Sequence, residues 1–122
     1  MIHEFAIENV LSFKDEQVIS FEASSDKTYE EYHVVKKGNL RLLKLLLLYG
    51  ANGSGKTNIL LALEMLKDVI LDKKNDKNEP VAVVPFLLDK TSRNKPSTFY
   101  LSFFIEQTRF IYSLVTDTER IL

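Results

Sequence analysis

The stretch that decides the fold is Gly50-Ala51-Asn52-Gly53-Ser54-Gly55-Lys56-Thr57, which meets the pattern G-x-x-x-x-G-K-[ST] in full. Glycines let the backbone approach a phosphate closely, and successive N–H groups at the start of a helix attract the anion. Lys56 supplies a full positive charge to the β- and γ-phosphates, and the hydroxyl of Thr57 is a ligand for Mg²⁺. The motif therefore predicts a nucleoside triphosphate site, and we expect the ligand to be ATP with Mg²⁺.

Seven consecutive residues are the predicted nucleotide contacts. Lys56 is also the predicted catalytic residue, because its charge faces the transferred phosphate, and Thr57 is the predicted metal ligand. The contact set is Asn52, Gly53, Ser54, Gly55, Lys56, Thr57 and Asn58. A glycine-rich turn that merely joins a strand to a helix is the alternative, and it gives no reason for a lysine at position 56.

The segments on either side of this loop support the interpretation. Residues 45–49 are continuously apolar and short, which is typical of a central parallel strand buried on both faces. Apolar residues recur at spacings of three and four after the loop and predict a helix over residues 55–71. Further apolar residues widen this stripe, so we expect the helix to be covered on more than one side.

Most of the rest of the chain is predicted to be β structure, from a rough alternation of apolar and polar residues over 2–10 and from runs of β-favouring residues elsewhere. Residues 2–10 and 17–22 are predicted to form an opening hairpin around a turn at 12–15, and residues 32–35 a short strand that ends at 36–39. A long antiparallel hairpin is predicted from residues 98–105 and 110–116, joined across 106–109. Polar segments at 24–31, 72–79 and 90–96 are predicted loops.

Composition excludes several classes of protein. The 122 residues are 45% hydrophobic and 27% charged, with a net charge of −1, so the overall charge favours neither a nucleic-acid nor a membrane surface. There are no cysteines, which excludes disulfides, thiolate metal sites and a cysteine nucleophile. No apolar run is long enough to span a bilayer, and no signal peptide is visible. We expect a soluble cytoplasmic protein.

Two motifs together resemble a narrower group than P-loop proteins in general. The loop with its Asn52 and the trailing Asn58 resembles that of the ABC-type ATPases of the SMC, RecF and OLD-nuclease group. Residues 7–14, Ile-Glu-Asn-Val-Leu-Ser-Phe-Lys, resemble the "IxNFxSF" opening strand of those proteins, although Val10 and Leu11 depart from it. Residues 85–89 and 109–112 resemble a bacterial branch called AAA-family ATPases, many of them linked to phage defence or restriction.

This resemblance implies an α/β fold, the N-terminal lobe I of a P-loop NTPase. Its parts would be opening strands and a loop over 1–44, a strand, P-loop and helix over 45–72, and an antiparallel β-subdomain over 81–122. In the family, a Walker B strand ending in Asp-Glu, a signature motif and a switch histidine lie far downstream. No apolar run here ends in Asp-Glu, so we expect an incomplete domain from a longer ATPase. The family also implies a homodimer formed through the nucleotide and an attached nuclease or DNA-handling module.

Other functions and site residues stay open at this stage. A non-catalytic nucleotide-sensing module fits the absent Walker B, and a small P-loop nucleotide kinase fits less well, because in kinases the loop lies near the start of the chain. Asn52 fits a γ-phosphate contact or a left-handed loop position equally well. For Ser12 and Lys14 a solvated turn is favoured over phosphate contacts, and for His3 a structural role is favoured.

Overall fold

The computed structural model describes residues 1–25, 30–45, 55–71, 84–88 and 90–117. Several predictions lie outside these residues: the strand at 45–49 beyond its first residue, the first five residues of the phosphate-binding loop, the loop at 72–79 and residues 81–83, 89 and 118–122 of the β-subdomain. The elements are β1 (Ile2–Glu8), β2 (Gln17–Ser20), α1 (Glu30–His33), β3 (Val34–Lys37), β4 (Leu40–Leu43), α2 (Lys56–Leu71), a 3₁₀ turn (Ser92–Asn94), β5 (Ser97–Ile105) and β6 (Thr108–Thr116).

Four of these strands form one antiparallel sheet in the order β2-β1-β5-β6. Both predicted hairpins are confirmed: β1 pairs with β2, and β5 pairs with β6 along their whole length. The two hairpins are joined by β1 and β5, where Phe5 lies opposite Leu101 and Ile7 opposite Phe99. The opening and closing thirds of the chain therefore share one sheet, a pairing that the sequence did not predict.

Helix α2 packs against one face of this sheet. Because side chains alternate between the two faces of a strand, Phe5 and Ile7 lie on the same side as Phe99. Ala62 and Leu66, at 0% and 1% exposure, face them from the helix and complete the core cluster. The core therefore lies between two layers, helix α2 and one face of the antiparallel sheet.

The extent of α2 agrees with the predicted helix over 55–71, but its predicted burial is wrong for the described residues. Leu60 is 62% exposed, Leu61 40% and Ile70 42%. The inner face of the sheet offers one apolar surface, so Leu60 and Leu61, on the side of the helix away from it, stay in contact with solvent, and Ile70 lies in the last turn of the helix. None of the described helices has the length and hydropathy needed to cross a bilayer.

The segment before the loop differs from the prediction. Residues 30–33 form helix α1 where a strand at 32–35 and a loop at 24–31 were expected, and the strand β3 begins only at Val34. Glu30 in the first turn of α1 accepts a hydrogen bond from Arg41 Nε at 2.8 Å, and acidic residues there stabilise a helix. Lys36 and Lys37 belong to β3, because Gly38, with φ of +61°, makes the turn to β4.

Three smaller boundaries also shift. Strand β2 ends at Ser20 rather than at residue 22, and a 3₁₀ turn occupies part of the predicted loop at 90–96. The turn of the closing hairpin contains only Glu106 and Gln107, because Thr108 and Arg109 already pair with β5. Glu106 accommodates this tight turn with φ of +56°.

Candidate phosphate-binding site

The N-terminus of α2 carries backbone donors that the helix itself does not satisfy. Helix α2 begins at Lys56, and the carbonyl of Gly55 accepts the first helical hydrogen bond, from Ile59 N–H at 3.1 Å. The N–H groups of the first turn, from residue 56 to residue 58, therefore have no partner within the helix. This turn contains no acidic side chain that would satisfy them, and the helix dipole is positive at this end. The arrangement favours an external anion.

Gly55 fits its position for two independent reasons. Its φ is +91°, a conformation that residues with a side chain rarely adopt. A Cβ atom added there would lie 2.8 Å from Cζ of Phe13 and 3.2 Å from Oγ of Ser12. The last glycine of the loop therefore lets the turn after β1 approach the start of α2 closely.

Four of the predicted site residues come together at this helix start: Gly55, Lys56, Thr57 and Asn58. The side chain of Thr57 is exposed, so its hydroxyl is accessible to a ligand. Asn58 is half-buried, and its Nδ2 donates a hydrogen bond to Ser12 Oγ at 2.9 Å. The side chain of Lys56 and the residues Asn52, Gly53 and Ser54 lie outside the described part of the chain, and their roles stay predictions.

The turn after β1 is tight and lies beside this helix start. Val10 and Phe13 exchange two backbone hydrogen bonds, each 2.9 Å long, around the central residues Leu11 and Ser12. Leu11 has φ of +51°, which is uncommon for a residue with a side chain, and its N–H donates to the carbonyl of Val84 at 2.8 Å. Ser12 is exposed, as expected of a solvated turn, but its contact with Asn58 was not predicted.

Asn9 fixes the other side of the same turn. It is 4% exposed, and its Nδ2 donates to the carbonyl oxygens of Ser92 and Lys95, both at 2.9 Å, and of Pro96 at 3.2 Å. Its Oδ1 accepts a hydrogen bond from the N–H of Phe86 at 3.1 Å. Sequence reasoning missed this residue; the signal was the asparagine of the opening motif.

His3 takes part in a chain of hydrogen bonds, which agrees with its predicted structural role, although it is not isolated from possible metal ligands as the sequence suggested. Its Nε2 lies 2.8 Å from Glu22 Oε1, and its Nδ1 lies 3.1 Å from Ser102 Oγ, which also accepts from Arg109 Nε at 2.9 Å. One assignment of protons satisfies this whole chain: Arg109 donates to Ser102, Ser102 to Nδ1, and Nε2–H to Glu22. His3, Glu4 and Glu22 are close enough to hold a metal ion, but these hydrogen bonds already account for the imidazole.

Comparison with known proteins identifies one family. A family model described as "AAA domain, putative AbiEii toxin, Type IV TA system" matches residues 45–122, which is more than half of the chain. The matched region begins with the apolar run before the phosphate-binding loop and includes α2, β5 and β6. Searches of the curated proteins and of the solved structures found no match. The family supports a nucleotide-binding, ATPase-type P-loop domain.

Proposed function

Because the chain belongs to this family of AAA domains, we propose that it binds Mg·ATP between the loop at 50–57 and the N-terminus of α2. The observation that carries the proposal is the helix start described above. Gly55 has a backbone conformation that suits glycine, and it is followed by N–H groups that have no partner within the helix and no acidic side chain in the same turn. Such a helix start binds phosphate through backbone donors and the helix dipole.

In this proposal each residue of the loop has a role. Backbone N–H groups from Gly53 through Thr57 face the phosphates, Asn52 is a candidate γ-phosphate contact, and Asn58 lies at the edge of the site. Lys56 neutralises the β- and γ-phosphates, where the backbone supplies only partial charge. Thr57 would hold Mg²⁺ through its exposed hydroxyl, and oxygen ligands of this kind suit a hard cation that would offset the negative charge of the triphosphate.

The finer assignment is also a proposal. We place the chain in the ABC-class SMC, RecF and OLD-like group, as lobe I of a longer ATPase that dimerises through bound ATP. The opening turn supports this, since the motif residues Ser12 and Phe13 contact the helix start and the motif residue Asn9 anchors the other side of the turn to the segment at 92–96. The ATPase would drive a nuclease, DNA-handling or phage-defence module, and the family description names a putative toxin.

The decisive experiment compares two lysine variants on the same helix. With Mg·ATP at about a hundred times its Kd, binding stabilises the folded chain by about 2.7 kcal/mol and raises Tm by on the order of 10 °C. Lys56→Ala is expected to abolish this shift, because the triphosphate loses its charge partner. Lys67→Ala, an exposed position in the middle of α2, is the matched control and should keep the shift.

Equal Tm shifts for Lys56→Ala and Lys67→Ala would contradict the proposed site. Two further assays on the wild-type chain separate the alternatives. Binding without phosphate release favours a nucleotide-sensing module or half of an ATPase site, and ATP-dependent dimerisation in sedimentation experiments favours the latter. Transfer of the γ-phosphate to an added nucleoside monophosphate would favour a kinase instead.

A further inference from the structure

We propose that Ser12 and Asn58 are positioning residues for the phosphate-binding loop, acting as a strut between the turn after β1 and the first turn of α2. The inference rests on the proposed function and adds residues that a P-loop pattern does not assign. The hydrogen bond from Asn58 Nδ2 to Ser12 Oγ, 2.9 Å long, joins residues 46 positions apart in the sequence. It therefore links two elements rather than stabilising one of them.

The bond between Ser12 and Asn58 lies at the surface rather than in the core. Ser12 is exposed and Asn58 is half-buried, so water can satisfy both groups when the bond is broken. A hydrogen bond of this kind contributes little to global stability, because water replaces the lost partner. Its effect is instead local, at the helix start where the phosphate is proposed to bind.

The side chain of Asn58 also has a local alternative that would block the anion. Asn58 is the third residue of α2, and polar side chains at that position can turn back towards the free N–H groups of the helix start. The hydrogen bond to Ser12 holds the amide of Asn58 in one orientation and so competes with this turn back towards the N–H groups.

Phe13 and Gly55 limit the movement of the same two elements. The ring of Phe13 fills the space that a side chain at position 55 would occupy, with 2.8 Å between Cζ and the position of the missing Cβ. The turn that carries Ser12 and Phe13 is closed by two backbone hydrogen bonds and anchored by the buried amide of Asn9. The strut therefore holds the helix start against a firmly placed turn, and preorganisation of this kind raises affinity.

A double-mutant cycle on the chain tests the strut. The variants are Ser12→Ala, Asn58→Ala and their combination, with Kd for Mg·ATP measured by isothermal titration calorimetry and Tm measured without nucleotide. Each single variant is expected to weaken binding five- to tenfold, and the double variant no further, because all three lack the same hydrogen bond. Ser12→Thr, which keeps the hydroxyl, should restore wild-type affinity, and the exposed Ser113→Ala is the matched control.

The stability measurement separates positioning from a general structural role. Alanine has a higher helix propensity than asparagine, so Asn58→Ala should leave Tm unchanged or raised while affinity falls. Unchanged Kd in both single variants overturns the strut and leaves the proposed function standing. Additive losses, or a loss for Ser12→Ala alone, also overturn it, because the residues would then act separately on the ligand. A wild-type chain that does not bind Mg·ATP overturns the strut and the proposed function together.

Discussion

The replacement Gly55→Ala tests the most demanding local feature of the structure, the close approach of the β1 turn to the start of α2. Two costs are expected, and they have different origins. The first is conformational, because φ of +91° is unfavourable once a Cβ atom is present. The second is steric, because that Cβ would lie 2.8 Å and 3.1 Å from two ring carbons of Phe13.

The magnitudes follow from these distances and angles. An alanine forced to a positive φ loses about 1–2 kcal/mol relative to its preferred conformations. Inserting a methyl group into space that a ring already fills costs about 1–3 kcal/mol more, because the ring or the backbone must move. We therefore expect Gly55→Ala to lower the free energy of unfolding by about 2–5 kcal/mol.

Gly38→Ala is the matched control, measured by the same urea denaturation. Gly38 also has a positive φ, +61°, but a Cβ there would meet nothing within 4 Å. It should show only the conformational cost of about 1–2 kcal/mol. The difference between the two variants then gives the steric part of the Gly55→Ala effect.

The steric part is tested directly by repeating Gly55→Ala in a Phe13→Ala background. Removing the ring takes away the atoms that the new Cβ would contact most closely, so the cost of Gly55→Ala should fall by about 1 kcal/mol or more. The same cost in both backgrounds, or a cost no larger than that of Gly38→Ala, would refute the reasoning. Either result would mean that the ring does not limit position 55.

Two further predictions concern buried polar side chains, both measured by urea denaturation. Asn9→Asp places carboxylate oxygens against carbonyls such as that of Ser92, and we expect a loss of about 3 kcal/mol, whereas Asn39→Asp in an exposed turn should change little. Ser102→Ala removes a fully buried hydroxyl that serves both an imidazole and a guanidinium group. It should cost about 1–3 kcal/mol, and the exposed Ser113→Ala should have little effect; equal losses would contradict the proposed chain of hydrogen bonds.

The sequence predicted those elements whose pattern is local. Helix α2 repeats apolar residues at helical spacing, and β5 and β6 are nine-residue runs rich in aromatic and β-branched residues, so the sequence identifies both types of element. The boundaries were less accurate where turn geometry decides them. Glu106 at φ of +56° closes the last hairpin with two residues, and Gly38 moves the preceding turn in the same way.

The contacts that build the site were not predictable from local pattern. Strand β1 pairs with β5 across most of the chain, and Asn9 bonds to carbonyls more than eighty residues away. Such contacts depend on where the fold places each segment, and nothing in residues 7–14 specifies a partner. The helix α1 was missed for a related reason. Glu30 in its first turn pairs with Arg41 in β4, a contact that the local sequence around α1 does not reveal. The role of Asn52 rests on sequence alone.

The turn at residues 9–13 connects the proposed nucleotide site to the sheet. One side of it contacts the helix start through Ser12 and Phe13, and the other side is held by Asn9 and by Leu11, which donates to the carbonyl of Val84. If the phosphates bind at the helix start, they bind best to one position of Gly55. Because Gly55 lies close to Phe13 and Ser12, this position also requires one position of the turn. Thermodynamic coupling is reciprocal, so residues that fix the turn then contribute to nucleotide affinity without touching the ligand, and the nucleotide in turn stabilises their contacts. The residues of the opening motif therefore have a structural explanation: its asparagine, serine and phenylalanine hold one turn between the sheet and the phosphate-binding loop.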